Sequence, residues 1–266
     1  GPCEAKWGYT TLTAADWGFA RPRELLAYLL CHPEGRTKAE IGLALWPEAS
    51  AAQLRGSFHV AVHHLRRALG DTRWVAFADG RYRLARALAP SPGHGGPGAQ
   101  NPDLDLDLDL DLDLDLDLDL DRFERGLATA RTAASAGPAA LTAYREALAW
   151  WRGEFFAGEP LGPWADARRA ALRRQYHEAL LALGALELDA GAPDAALMTY
   201  RRALDDDALS EPAHRGVIRA LARRGDRAGA LRHHGTLVAL LREELGARPE
   251  PASEALREAL VRGDVP

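Results

Sequence analysis

Between Gln53 and Gly70 the chain carries Arg55, His59, His63, His64, Arg66 and Arg67 and no carboxylate. Spacings of three and four put donors and imidazoles on one side of a helix, where two kinds of chemistry are open to them. His59 and His63 share a face as metal ligands do, but no third Cys, Asp or Glu ligand lies close by, so no metal is expected. The other chemistry is polyanion binding: guanidinium forks match phosphates and base edges, and a helix fits the DNA major groove, about 12 Å wide. Catalytic spacings are missing from the sequence: it holds no GxxxxGK[ST], GxSxG or HExxH. The glycine run at 93–98 lies between prolines, not between a strand and a helix. No enzyme activity, catalytic residue or cofactor is expected.

Helices must position the basic face. From Pro22 to Gly70 the apolar spacing predicts three of them. The first, Pro22–His32, places Leu25, Leu26, Leu29 and Leu30 on one side and stops at Pro33 and Gly35. Thr37 with Glu40 three residues on forms a capping box for the second, which carries Ile41, Leu45 and Trp46 and ends at Pro47. Ser50 caps the third, which runs to about Leu69 and turns Leu54, Phe58, Ala61, Val62, Leu65 and Leu69 inward. Trp74–Phe77 and Arg81–Leu84 around Asp79-Gly80 predict a hairpin, whose Arg81 and Arg83 reach phosphates or the adjacent minor groove.

At 266 residues, with 47% apolar and 27% charged residues, the chain is long enough for two globular domains, and collagen-like, wholly disordered and disulfide-stapled classes are excluded. No run of eighteen apolar residues and no leader pattern predicts a membrane span or secretion. Two cysteines, Cys3 and Cys31, suit a reducing cytoplasm, with Cys31 expected as a small core residue of the first helix. Gly1 and Pro2 read as the remains of a protease cut, placing Cys3 inside a longer chain. The net charge of −5 hides an asymmetry: residues 1–102 hold 12 Lys+Arg against 8 Asp+Glu, and the remainder 21 against 30.

Residues 89–102 are Pro- and Gly-rich and predict a flexible linker. Asp103–Asp121 alternates ten aspartates with nine leucines. Aspartates about 7 Å apart on one strand face repel each other, so an expanded chain is expected. From Arg122 onward the pattern is helical. Ala139–Leu148 and Ala195–Leu204 agree at seven of ten positions, and Gly191, Ala196 and Leu197 recur as Gly225, Ala230 and Leu231 with a period of 34, the tetratricopeptide spacing. Leu183, Gly184, Ala196, Tyr200 and Ala203 fit the large, small and aromatic places of that repeat. Helix pairs are expected at 167–206 and 211–244.

RPRELLAYLLCHPEG, TKAEIGLALWPEAS, FHVAVHHLRRALG and DGRYRL resemble the winged helix-turn-helix of the SARP regulators, related to the OmpR/PhoB type. DRFERGL, the long WWRGEFFAGEPLGPWADARRAALRRQYHEALLALG stretch and AHRGVIRALARRGDRAGALRHHGTLVALLREELGARPEP resemble the bacterial transcriptional activation domain that follows it in that family. The resemblance implies a mainly α chain: a winged helix-turn-helix domain at 3–88, a linker and low-complexity segment at 89–118, and an α-helical tetratricopeptide-like repeat domain at 119–266.

It further implies a cytoplasmic regulator that binds double-stranded promoter DNA as a dimer, head to tail at direct repeats, and recruits RNA polymerase. The family's groove-facing places fall on His59, His63 and Arg66, with Arg55 and Arg67 toward phosphates. Gly56 stands where the family carries a basic or amide residue, so base specificity is expected to differ. The family's leading strands are represented at most by Lys6–Leu12 and Ala14–Phe19. Arginine–phosphate contacts predict affinity that falls with salt, and histidines in the groove predict tighter binding below about pH 6.5. The acidic run is expected to oppose non-specific DNA binding.

Two other functions compete. The paired arginines Arg168-Arg169, Arg173-Arg174, Arg201-Arg202 and Arg223-Arg224 could receive a small anionic effector such as a cyclic dinucleotide, making the repeats a sensor. Alternatively the repeats grip a protein and the winged helix no longer touches DNA. Trp150, Trp151, Phe155, Phe156 and Trp164 are expected to pack between the helix before them and the repeat after.

Overall fold

A computed structural model describes residues 5–7, 10–12, 17–85, 118–133 and 137–264, with side chains from Trp17 onward. The chain divides into two compact units, Gly1–Leu118 with Phe155–Arg168, and Asp119–Glu154 with Arg169–Pro266. The predicted linker at 89–102 lies outside the described residues, as does the Asp-Leu run through Asp117.

The first unit opens with an antiparallel hairpin, β1 (Ala5–Trp7) and β2 (Thr10–Leu12), in which Lys6 opposes Thr11. The second leading strand expected at Ala14–Phe19 is not one where it is described. Gly18 has φ of 69°, which leaves the extended region, and the chain turns there into α1 (Ala20–Cys31). Every residue from Leu25 to Leu30 is buried, more than the one apolar stripe predicted. The reason is a second wall: Trp164 meets Tyr28 edge-on at 5.1 Å, Arg23 pairs with Glu159 at 2.9 Å, and Ala165 is buried. The aromatic cluster predicted as one packing joint is therefore divided. Trp164, Phe155 and Phe156 belong to the first unit, while in the second Trp151 stacks on Tyr176 at 4.5 Å and meets Phe123 at 5.2 Å. Cys31 is half-buried rather than a core residue, because it lies at the last turn of α1.

Thr37 caps α2 (Lys38–Leu45), accepting from the Glu40 N–H while Glu40 accepts from the Thr37 N–H at 2.7 Å. The same reciprocal pair, Ser50 and Gln53, opens α3 (Ala51–Ala68), which buries Phe58, Ala61, Val62 and Leu65. Strands β3 (Val75–Ala78) and β4 (Arg81–Leu84) follow, joined by Asp79 and Gly80 with φ of 52° and 74°. Two positive φ values at the central positions match the right-handed twist of a tight hairpin. Tyr82 exchanges both backbone hydrogen bonds with Arg36, at 2.9 and 2.7 Å, tying the hairpin to the turn before α2.

The second unit is helical: α4 (Asp119–Thr132), α5 (Pro138–Ala149), α6 (Asp166–Asp189, its first three residues in the other unit), α7 (Pro193–Asp206), α8 (Glu211–Arg223), α9 (Arg227–Leu245) and α10 (Pro251–Arg262). The last residues of the Asp-Leu run are thus helical, not extended. Asp119 and Asp121 occupy the first turn of α4, where backbone N–H groups favour carboxylates, and Phe123 and Leu127 supply the buried face that aspartate and leucine alone could not. Gly191 and Gly225, one period apart, both have positive φ, 71° and 83°, at the turns inside the two helix pairs. The Tyr200 ring fills the space between α6 and α8: a Cβ on Gly184 would lie 2.6 Å from it, and one on Gly216 would overlap it.

Glu187 is 3% exposed and is held by Arg145 of α5 at 2.7 Å and by the Thr199 hydroxyl of α7 at 2.7 Å. The Glu211 carboxylate anchors α10 by accepting from the Glu250 N–H at 2.9 Å and the Ser253 hydroxyl at 2.6 Å.

Between α8 and α9, His214 sits 3.0 Å from the Ala208 carbonyl through Nε2 and 2.9 Å from His233 Nε2 through Nδ1. A carbonyl can only accept, so His214 donates through Nε2, its Nδ1 accepts, and His233 donates. Burial, aided by His214 and Arg201, pushes His233 down from 6.5 to about 4. Between those values the unfolded chain binds the extra proton, so stability falls as pH drops from about 6.5 toward 4. The expected loss is on the order of 3 kcal/mol at most, and His233→Gln, which keeps a donor, is expected to flatten it in melts recorded across that range. An unchanged pH profile in the variant would remove His233 as its cause.

Candidate nucleic-acid interface

On α3 the side opposite the buried stripe exposes Arg55, Gly56, His59, Val60, His63 and Arg67. Four carboxylates of this unit are engaged elsewhere: Glu24 with Arg21, Glu34 and Glu40 with Arg36, and Asp71 with Arg73 at 2.8 Å; Glu48 and Asp79 are exposed and lie off α3. Among the described residues Arg55, Arg67 and Arg83 make no ion pair or side-chain hydrogen bond. A cationic face without counter-charge is the electrostatic requirement for binding phosphates.

Arg66, expected to face the groove, does otherwise. It is half-buried and its guanidinium donates to the Val75 carbonyl at 2.7 Å, bracing α3 against β3. Arg81 is exposed but also committed, donating to the Gly35 carbonyl at 3.2 Å. Arg83, also on β4, stays exposed. His64 is half-buried against Phe19, with ring centroids 4.7 Å apart.

Sequence reasoning missed two residues. Lys38, at the first turn of α2, brings its ammonium to 3.4 Å from His59 Nε2 and 5.3 Å from the centre of the Phe58 ring. His59 is an acceptor in that contact, and Lys38 adds a cation to the face. Nothing in the spacing around Lys38 signals a partner 21 residues away. Val60 is the second, and it did leave a signal: it is an apolar residue off the stripe formed by Phe58, Ala61, Val62 and Leu65. Gly56 lies beside it, and a Cβ there would meet nothing within 4 Å. Glycine inside a helix costs about 1 kcal/mol relative to alanine, and internal packing supplies no reason for it here.

The paired arginines of the repeats have mostly found internal partners. Arg169 pairs with Glu154 at 3.8 Å, Arg173 with Asp206 at 2.9 Å and Arg224 with Asp194 at 2.9 Å. Arg202 donates to the Tyr176 hydroxyl at 3.4 Å and Arg223 to the Leu188 carbonyl at 3.1 Å. Arg174 and Arg201 are exposed, and Arg168 is half-buried in the other unit. Guanidiniums already held by carboxylates are not open forks for an anionic effector.

Ser210, His177 and Asp206 stand in the order of a hydrolytic triad, with Ser210 Oγ 2.7 Å from His177 Nε2 and Asp206 3.4 Å from its Nδ1. Ser210 is buried and Asp206 is shared with Arg173, so the group closes the joint between α6 and the α7–α8 turn. Among the described residues no three His, Cys, Asp or Glu side chains are placed to hold a metal ion. No described helix is long and apolar enough to cross a membrane.

Residues 118–261 match the family model described as Bacterial transcriptional activator domain. Regulatory protein AfsR of Streptomyces coelicolor is 30% identical over 251 residues, which are 93% of this chain and 22% of that protein. A solved structure of Mycobacterium tuberculosis EmbR, in complex with a low affinity phosphopeptide, matches with a TM-score of 0.77 at 23% identity, over 99% of this chain and 64% of the other. The chain therefore spans about a fifth of the first relative and less than two thirds of the second.

Proposed function

Since the chain belongs to the bacterial transcriptional activator domain family and is of SARP type, we propose that it regulates transcription by binding promoter DNA through the outward face of α3. One observation carries this reading: Arg55, His59, His63 and Arg67 share a face without a carboxylate, while Glu24, Glu34 and Asp71 of the same unit pair with other arginines. Placed in the major groove, His59 and His63 reach base edges, and Arg55 and Arg67 reach the phosphates on either side. Lys38 and, on the hairpin, Arg83 extend the phosphate contacts. Arg66 and Arg81 hold the helix and hairpin in register, so their contribution is to position the others.

In the same reading the second unit, mainly stacked helices, is the surface for RNA polymerase, and two copies sit head to tail on a repeated half-site. The carboxylate-paired arginines of the repeats speak against a phosphate-bearing effector there. Selection of duplexes from a random pool tests the proposal. A twice-repeated motif is expected to be enriched. A pool that stays random after several rounds, or retention that does not respond to salt, would sink it and favour a protein-binding scaffold.

A further inference from the structure

The face of α3 is short of groups that can read a base by hydrogen bonding. Gln53 is the only amide on the helix, and its side-chain oxygen is held by the Ser50 N–H at 2.9 Å. It cannot then form the two-bond contact with adenine that an amide otherwise makes. Arg66 donates to the Val75 carbonyl. Val60 is the one large apolar side chain that α3 turns outward, 49% exposed. At 3.6 residues per turn it stands about 20° beyond Arg67, about 60° from His63 and about 40° from Gly56, at the edge of the arc that runs from Arg55 to Arg67.

A lone exposed valine is ordinary on a protein surface. One beside cations that approach a duplex is different, because the major groove offers a single apolar group, the 5-methyl of thymine. Resting on the nucleic-acid reading above, we propose that Val60 reads that methyl group, so that each half-site carries a thymine recognised by apolar contact. Gly56 completes the arrangement. Valine is short, and the missing side chain one turn earlier lets the α3 backbone settle close enough to the groove floor for it to reach. The open space around Gly56 shows that nothing within the protein claims that room.

Deoxyuridine tests this, since it removes the methyl and leaves every hydrogen-bonding group in place. On a duplex retained by the full chain, each thymine is replaced in turn and binding is measured for the unaltered protein and for Val60→Ala. At one thymine per half-site the replacement is expected to weaken the unaltered protein about fourfold, the worth of one buried methyl, and to leave Val60→Ala unaffected. Val60→Thr, which keeps the shape and one methyl, is expected to retain part of the discrimination. The proposal is overturned if Val60→Ala loses as much as the unaltered protein at every position, or if the unaltered protein ignores every replacement. Failure of the underlying reading looks different: no duplex is retained in a salt-dependent way, whatever its thymines carry. Because Val60 is half in water, the alanine variant is expected to melt with the unaltered chain, and that melt separates loss of contact from loss of fold.

Discussion

Arg55→Ala combined with Arg67→Ala is expected to weaken binding to a selected duplex by about ten- to a hundredfold, and the slope of log affinity against log salt is expected to fall by about 1.8. Each phosphate contact releases condensed counterions worth about 0.9 in that slope, and both arginines are exposed and without partners among the described residues. Arg73→Ala is the control. That side chain is chelated by Asp71 through three contacts of 2.8 to 3.3 Å and lies off α3, so its loss should leave the slope where it was. A double variant whose slope matches the unaltered protein would mean that the phosphates are met by some other surface.

The largest stability effect is expected inside the second unit, from Arg145→Ala. Glu187 is almost wholly buried, and among the described residues Arg145 is its one cationic partner, itself half in water. Removing the arginine strands a carboxylate with the Thr199 hydroxyl alone. Breaking such a pair costs about 3 kcal/mol, which lowers the melting temperature of a unit this size by roughly 10 °C. Adding Glu187→Gln is expected to restore most of the loss, because an amide still accepts from Thr199 and needs no counter-charge. Melting within about 2 °C of the unaltered chain for Arg145→Ala would show that the pair is dispensable.

What could be read from the residues alone follows the range of the interactions. Thr37 with Glu40 and Ser50 with Gln53 are three residues apart, and both helix starts were legible to the residue. The period of 34 was legible because Gly191 and Gly225 need the same backbone turn, and Ala196 and Ala230 the same close approach. The basic face was legible as composition on a helix. The commitments of its members were not. Arg66 reaches forward to Val75, Arg81 back to Gly35, and Lys38 across to His59, and no local pattern records such contacts. Trp164 was misread for the same reason, since its neighbour Tyr28 lies 136 residues earlier.

That last contact also sets an order of events during synthesis. The wall that covers α1 is the stretch Phe155–Arg168, so the amino-terminal body lacks part of its interior until the ribosome has passed well into the repeats. Until then Tyr28 lacks the Trp164 ring that covers it, and the nascent chain holds α3 on an unfinished scaffold. A polypeptide truncated before residue 155 would stay in that state.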